Sequence, residues 1–195
     1  MNEKQAKLKE KIYNTFKDNK FPGNWNIVYH DMAGEPFDIK KAFRGKDDWT
    51  KLDAKFLNKT WKSALSFFSE PAFRFYLPAY LIAYIDDKLP EIDVIFYLCY
   101  GLTNSHKDMP VSIDQSGKST VYGEATCWDY SIYRFSLFTL QEVEAIVDYL
   151  RYHLENRGDY DGKTNLTKSE IREALENYWL KRLKCLKNKL KVSKP

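Results

Sequence analysis

The chain has 195 residues, of which 30% are charged and 16% aromatic, with five Trp and a formal net charge of +4. This is enough chain for one domain with a well-filled core, and the composition excludes a disordered or low-complexity polymer. The charge is uneven: residues 1–160 hold 21 Lys/Arg against 23 Asp/Glu, and residues 161–195 hold 10 against 4, so the basicity belongs to the tail.

Taken in order, the N-terminal MNEKQAKLKEK is basic and helical with no apolar run behind it, so it does not read as a secretory signal. Residues 3–18 form a predicted amphipathic helix with Leu8, Ile12 and Phe16 on one face, ended by the Phe21-Pro22-Gly23 turn. Ile27-Val28-Tyr29 reads as a short extended or buried segment. A short helix over 36–43 carries Phe37, Ile39 and Phe43 and is closed by Gly45. Trp49, Leu52, Phe56 and Leu57 fit a second helix, and Trp61 to Phe68 lead into the next.

The segment SEPAFRFYLPAYLIAYIDD, Ser69 to Asp87, organises the rest. Between Pro71 and Ile85 its only charge is Arg74, so it is apolar on every face. About 15 residues is short of the ~20 that cross a bilayer, so it reads as a core helix, about 70–86. Ser69 is placed to cap it, with Glu70 and Pro71 in the first turn. Pro78 cannot donate to the carbonyl of Arg74, which predicts a kink or a break into two shorter helices. Tyr76, Tyr80 and Tyr84 share one stripe and read as a core layer with hydroxyls reaching its rim, or as a pocket wall. Arg74 must be paired or snorkel out, as a structural ion pair or as a ligand-binding cation.

Ile92 to Leu102 reads as another apolar helix, stopped near Gly101. Residues 103–126 are polar and read as a long loop with a small hairpin around Gln115 to Lys118. Trp128 to Phe138 restores aromatics. Thr139-Leu-Gln-Glu142 is a capping box opening a helix to about Asn156, with Val143, Ile146, Val147 and Leu150 inward. Thr167-Lys-Ser-Glu170 is a second box, and its helix carries Ile171, Leu175, Trp179, Leu183, Leu186 and Leu190 at helical steps. The reading is a mainly α, single-domain helical bundle over 1–195 around the central apolar helix, with a C-terminal helix and basic tail over 167–195.

Two blocks carry a resemblance. FFSEPAFRFYLPAYLIA, Phe67 to Ala83, and RFSLFTLQEVEAIVDYL, Arg134 to Leu150, resemble an uncharacterised bacterial family with an S-x-x-A-F-x-x-Y-L-P-A-Y-L core and a later R-F-x-x-L-T-x-x-E helix. FPGNWNIVYHD is similar to the same family, and Phe138-Thr139-Leu140 only approximates its second block. The resemblance covers roughly residues 20–150, leaving the basic N-terminal helix and the last forty residues outside. It implies no activity.

Chemistry-bearing motifs are sparse. Cys99, Cys127 and Cys185 are odd in number, far apart and in no C-x-x-C, which reads as reduced cytoplasmic thiols with no zinc site. His30, His106 and His153 lie in separate segments without metal-pair spacing, and no phosphate, dinucleotide or nucleophile-elbow motif occurs, so no metal or cofactor is implied. Glu35 with Asp38, and Asp47 with Asp48, read as solvated charges beside Lys. Asp159 to Glu170 approaches an EF-hand loop, but Lys163 stands at the fifth ligand position and Thr164 replaces the turn glycine, so weak calcium binding is kept as an alternative reading.

Three readings of function follow. The first is a bacterial cytoplasmic protein-binding module, concretely a toxin-neutralising immunity protein, with Trp25, Trp128 or Tyr122 as anchors, because Trp, Tyr and Arg dominate interface hot spots. The second is an enzyme with a dispersed site at Arg74, Tyr80, His30 and Arg134, which would have to converge. The third is nucleic-acid or membrane association through the tail, which has seven basic residues and no acid from Lys181 onward.

Overall fold

A computed structural model of the protein describes residues 3–29, 34–59, 62–111, 125–156 and 164–192. Among the described residues the fold is mainly α with no strand, and its helices gather in two compact units, residues 1–97 and 98–195. No helix among them is long and apolar enough to cross a membrane.

In the first unit α1 (Glu3–Phe16) buries Leu8, Ile12 and Phe16, as its periodicity predicts, and packs on the central helix. α2 (Glu35–Phe43) buries Ile39 and Phe43 but leaves Phe37 half exposed. The helix expected from Trp49 to Leu57 is two pieces. Asp48 caps a 3₁₀ turn, Trp49–Lys51, and Asp53 accepts from Phe56 N (2.7 Å) to start α3 (Ala54–Lys59). Two aspartates thus offer two starts, and the chain uses both. After the short α4 (Ala64–Phe67), Ser69 sets the start of α5 (Glu70–Ile85). Its hydroxyl accepts from Ala72 N (3.3 Å) and donates to the Asn26 carbonyl (2.6 Å), so the cap also ties down the Ile27–Val28 segment. Val28 forms a single antiparallel bridge with Phe68.

α5 runs through Pro78 without a break. A proline in mid-helix costs roughly 3 kcal/mol. The flanking turns are buried on nearly every face, and that burial outweighs the lost hydrogen bond. The tyrosine stripe forms a core layer, as expected. Tyr76, Tyr80 and Tyr84 are all buried; the Tyr76 hydroxyl donates to the carbonyl of exposed Lys46 (2.9 Å), whereas the Tyr80 hydroxyl is sealed in the core. Burial pushes the Tyr76 and Tyr80 hydroxyls well above the usual tyrosine range. Phe43 sits at the centre, with its ring 4.9 Å from Phe68, 4.8 Å from Tyr76 and 5.1 Å from Phe56.

Lys9 of α1 bonds Asp86 at the C-terminus of α5 (2.5 Å), with Lys88 beside it (3.3 Å). Burial raises the Asp86 carboxyl, but hydrogen bonds and charge from Lys9 and Lys88 outweigh it and hold the group below its ordinary value. The stabilisation is therefore present above the ordinary value of 3.8 and is lost as pH falls through the lowered one. Asp86→Asn should lower the urea midpoint at neutral pH, and the gap to wild type should close in acid. A gap that stays constant down to pH ~2 would show that the carboxylate charge contributes nothing.

The helix expected over Ile92 to Leu102 shortens to α6 (Val94–Cys99), because Asp93 accepts from Phe96 N (2.9 Å) at its start and Gly101 turns out of it at φ +83°. In the second unit α7 (Cys127–Arg134) opens on a capping box that pairs Thr126 with Asp129. α8 (Leu140–Asn156) opens on the expected Thr139–Glu142 pair, with Thr139 N to Glu142 Oε2 at 2.7 Å. α9 (Lys168–Ala174) opens on Thr167–Glu170, passes through a π-helical turn, Leu175–Trp179, and continues as α10 (Leu180–Val192). Trp179 is fully buried there, its indole N–H donating to the Leu98 carbonyl at 2.9 Å. Beyond it the predicted stripe loosens: Leu183 and Leu186 are half-buried, and Leu190 is 51% exposed.

The hairpin expected around Gln115 to Lys118 is not borne out. Its tip lies outside the described residues, and its flanks, Pro110 and Thr126, meet in one isolated antiparallel bridge.

Candidate functional site

The second unit holds an open groove of about 710 Å³ between α7 and the π turn leading into α10. Asp129, Ile132, Tyr133 and Ser136 stand at i, i+3, i+4 and i+7 on one side, and Tyr178, Lys181, Arg182 and Cys185 repeat that spacing on the other. Trp128 closes the floor, its ring 6.1 Å from Tyr178 and nearly perpendicular. π turns recur at functional positions because the extra residue re-aims side chains. Here the turn supplies Asn177 and Tyr178 to the groove and Trp179 to the core.

Much of the polar lining is already committed. The Asp129 carboxylate accepts from the backbone N–H and hydroxyl of Thr126 (2.9 and 2.8 Å), which hold it below the usual carboxylate range. Asn177 donates to the Leu102 carbonyl (2.9 Å) and to Asn104 Oδ1 (3.2 Å). Arg182 donates one Nη2 hydrogen bond to the Ser136 carbonyl (2.9 Å), while its buried Nε has no acceptor among the described residues. Burial raises the Tyr178 hydroxyl and the Arg182 charge offsets part of that rise, so Tyr178 stays protonated at neutral pH. Lys181 and Cys185 are exposed at the rim. The result is an aromatic floor with a cationic edge.

Of the residues singled out in the sequence, Trp128 lines this groove, and Arg74, Tyr80, Trp25 and Arg134 do not. Arg74 Nη2 reaches Asn19 Oδ1 at 3.4 Å in the first unit. Tyr80 is 1% exposed, and its hydroxyl has no acceptor among the described residues. Trp25, in a 3₁₀ turn, is 77% exposed. Arg134 is buried in the second unit, its guanidinium 5.5 Å from the Tyr130 ring. His30 and Tyr122 lie outside the described residues, as do residues 159–163 of the EF-hand-like stretch. Its Glu170 is described: Oε2 accepts from Thr167 N and Oγ1 (2.8 and 2.9 Å), so the carboxylate that would close a calcium loop serves the helix cap. Among the described residues no cluster of His, Cys, Asp and Glu could hold a metal ion.

Tyr133, Tyr178, Lys181 and Arg182 escape a reading of single segments. The signal that finds them is the repeated i, i+3, i+4, i+7 spacing on two helices far apart in sequence.

Together these features define a small, mainly helical protein with an aromatic, cation-edged groove in its second unit. The chain belongs to a family of unknown function (DUF6714), whose model matches residues 4–183. The match takes in nearly all of α1 and the first turn of α10, both of which the motif resemblance leaves outside. No curated protein and no solved structure matches the chain.

Proposed function

We propose that the protein is a protein-binding module and that the α7–α10 groove is its docking face. The observation that carries this reading is the aromatic floor: Trp128, Tyr178 and half-exposed Tyr133 are grouped in one concave surface. Such side chains give large contact area at low cost in conformational entropy and dominate interface energetics. A bacterial, cytoplasmic immunity protein that occupies a toxin's surface is the concrete form of the proposal. The dispersed-site enzyme gains no support, because Tyr80 and Arg134 are too buried to touch a substrate.

The test is affinity capture from lysate of the protein's own source, with wild type and Tyr133→Glu run in parallel. Tyr133 is 50% exposed, so the charge enters the groove without entering the core. A single protein retained near stoichiometry by wild type and lost by the variant supports the reading. Equal retention by both places the interface elsewhere.

A further inference from the structure

Resting on the groove as a docking face, we infer that its occupant is an acidic amphipathic helix of a partner protein. An apolar anchor of that helix seats on the floor that Trp128 and Tyr178 form together, and its flanking carboxylates meet Lys181 and Arg182.

Charge complementarity carries the choice of sign. From Lys181 to the C-terminus the chain has seven basic residues and no acid. Three carboxylates of the unit are already engaged. Asp129 is held by Thr126, Glu144 by Lys187 (2.8 Å) and Glu173 by the Asn104 backbone N–H (2.9 Å). Lys181 meets no carboxylate among the described residues. Arg182 has five donors, of which one is given to Ser136. A carboxylate at this edge therefore meets cations that no ion pair engages among the described residues, beside an apolar floor.

Backbone chemistry carries the choice of a helix. The groove lies between helices and offers no strand edge, so an extended peptide would find no main-chain partners there. A helix satisfies its own backbone and presents anchors at i, i+3, i+4 and i+7, the same spacing as both walls. Nucleic acid fits less well. It would seek phosphate contacts along the whole lysine face, where Lys187 is already paired to Glu144, and would leave the aromatic floor uncovered.

The test uses the full chain and a fluorescein-labelled synthetic helix with Leu at i, i+3, i+4 and i+7 and Glu on both flanks. Two controls accompany it, one with every Glu changed to Lys and one of the same composition with the Leu scattered. Fluorescence anisotropy should show the acidic helix bound at least about tenfold more tightly than either control. Lys181→Glu, at an exposed position that leaves folding intact, should remove most of that preference and shift binding toward the Lys peptide. The inference is overturned if acidic and basic helices bind alike, or if neither binds below about 100 µM. It is also overturned if a DNA duplex binds through Lys181 and the peptides do not. A captured partner that depends on Tyr133 but ignores Lys181→Glu and salt keeps the docking face and removes the acidic helix. A partner that ignores Tyr133→Glu removes the docking face itself.

Discussion

Trp179→Ala should unfold the second unit under conditions where wild type is folded. The indole is fully buried, with ring centroids 4.8 Å from Phe135, 5.1 Å from Tyr178 and 6.3 Å from Phe138, and its N–H donates to the Leu98 carbonyl at 2.9 Å. Truncating a buried Trp to Ala typically costs about 3–5 kcal/mol through lost transfer energy and the cavity left behind. Leaving the Leu98 carbonyl buried without its donor adds about 1–3 kcal/mol. Against a total stability of about 5–15 kcal/mol, the sum is decisive. Trp179→Phe separates the two contributions, since it keeps most of the ring packing and loses only the donor. Trp25→Ala, at a position 77% exposed, should change stability by less than about 0.5 kcal/mol. Urea unfolding followed by circular dichroism at 222 nm reads all three. If Trp179→Ala unfolds within about 1 kcal/mol of wild type, Trp179 is not the centre of this core.

How much of this was legible in the sequence depends on how local the signal was. Leu8, Ile12 and Phe16 announce α1 because they repeat at helical spacing on a single helix, and they are buried as written. Ser69, Thr139 and Thr167 announce three helix starts because capping is decided within four residues. The same local rule reaches Thr126 once Asp is accepted at the third helical position in place of Glu. At Pro78 the break does not occur, for the opposite reason. The proline's cost is local and legible, but the burial of α5 that outweighs it comes from the surrounding elements. Tyr80 misleads likewise, since a tyrosine's preference for a hydroxyl partner does not reveal that the hydroxyl will be sealed in the core. The π turn is invisible to a 3.6-residue period. Reading Trp179, Leu183 and Leu186 as one uninterrupted stripe therefore carries the core past the point where full burial gives way to partial exposure. The groove itself joins half a face of α7 to half a face of α10, and neither half is apolar enough to stand out alone.

Gly101→Ala should be nearly as damaging as the loss of Trp179, although it adds one methyl group and removes nothing. Gly101 sits at φ +83°, a left-handed conformation that costs an L-residue roughly 1–2 kcal/mol. A Cβ built there would lie 2.4 Å from the Cys127 carbonyl oxygen, 2.4 Å from Ser131 Oγ and 3.0 Å from the Cys127 carbonyl carbon. The serine could rotate, at the expense of its 2.8 Å hydrogen bond to the Tyr100 carbonyl. The Cys127 backbone has less freedom, because its N–H is held by the Met109 carbonyl at 2.7 Å and Thr126 is held by Asp129 in the capping box. Strain and collision together should cost on the order of 3–5 kcal/mol, at the upper end of what single substitutions do. The site should suffer with the fold. α7 carries Trp128, Ile132 and Tyr133, so moving its first turn away from residue 101 displaces the groove wall even in molecules that remain folded. The double substitution Gly101→Ala with Ser131→Ala distinguishes the two collisions. Removing the hydroxyl relieves the side-chain clash and leaves the backbone one, so stability should recover only in part. Full recovery would show that the Cys127 backbone can yield, and that Gly101 serves the turn rather than the close approach of α7.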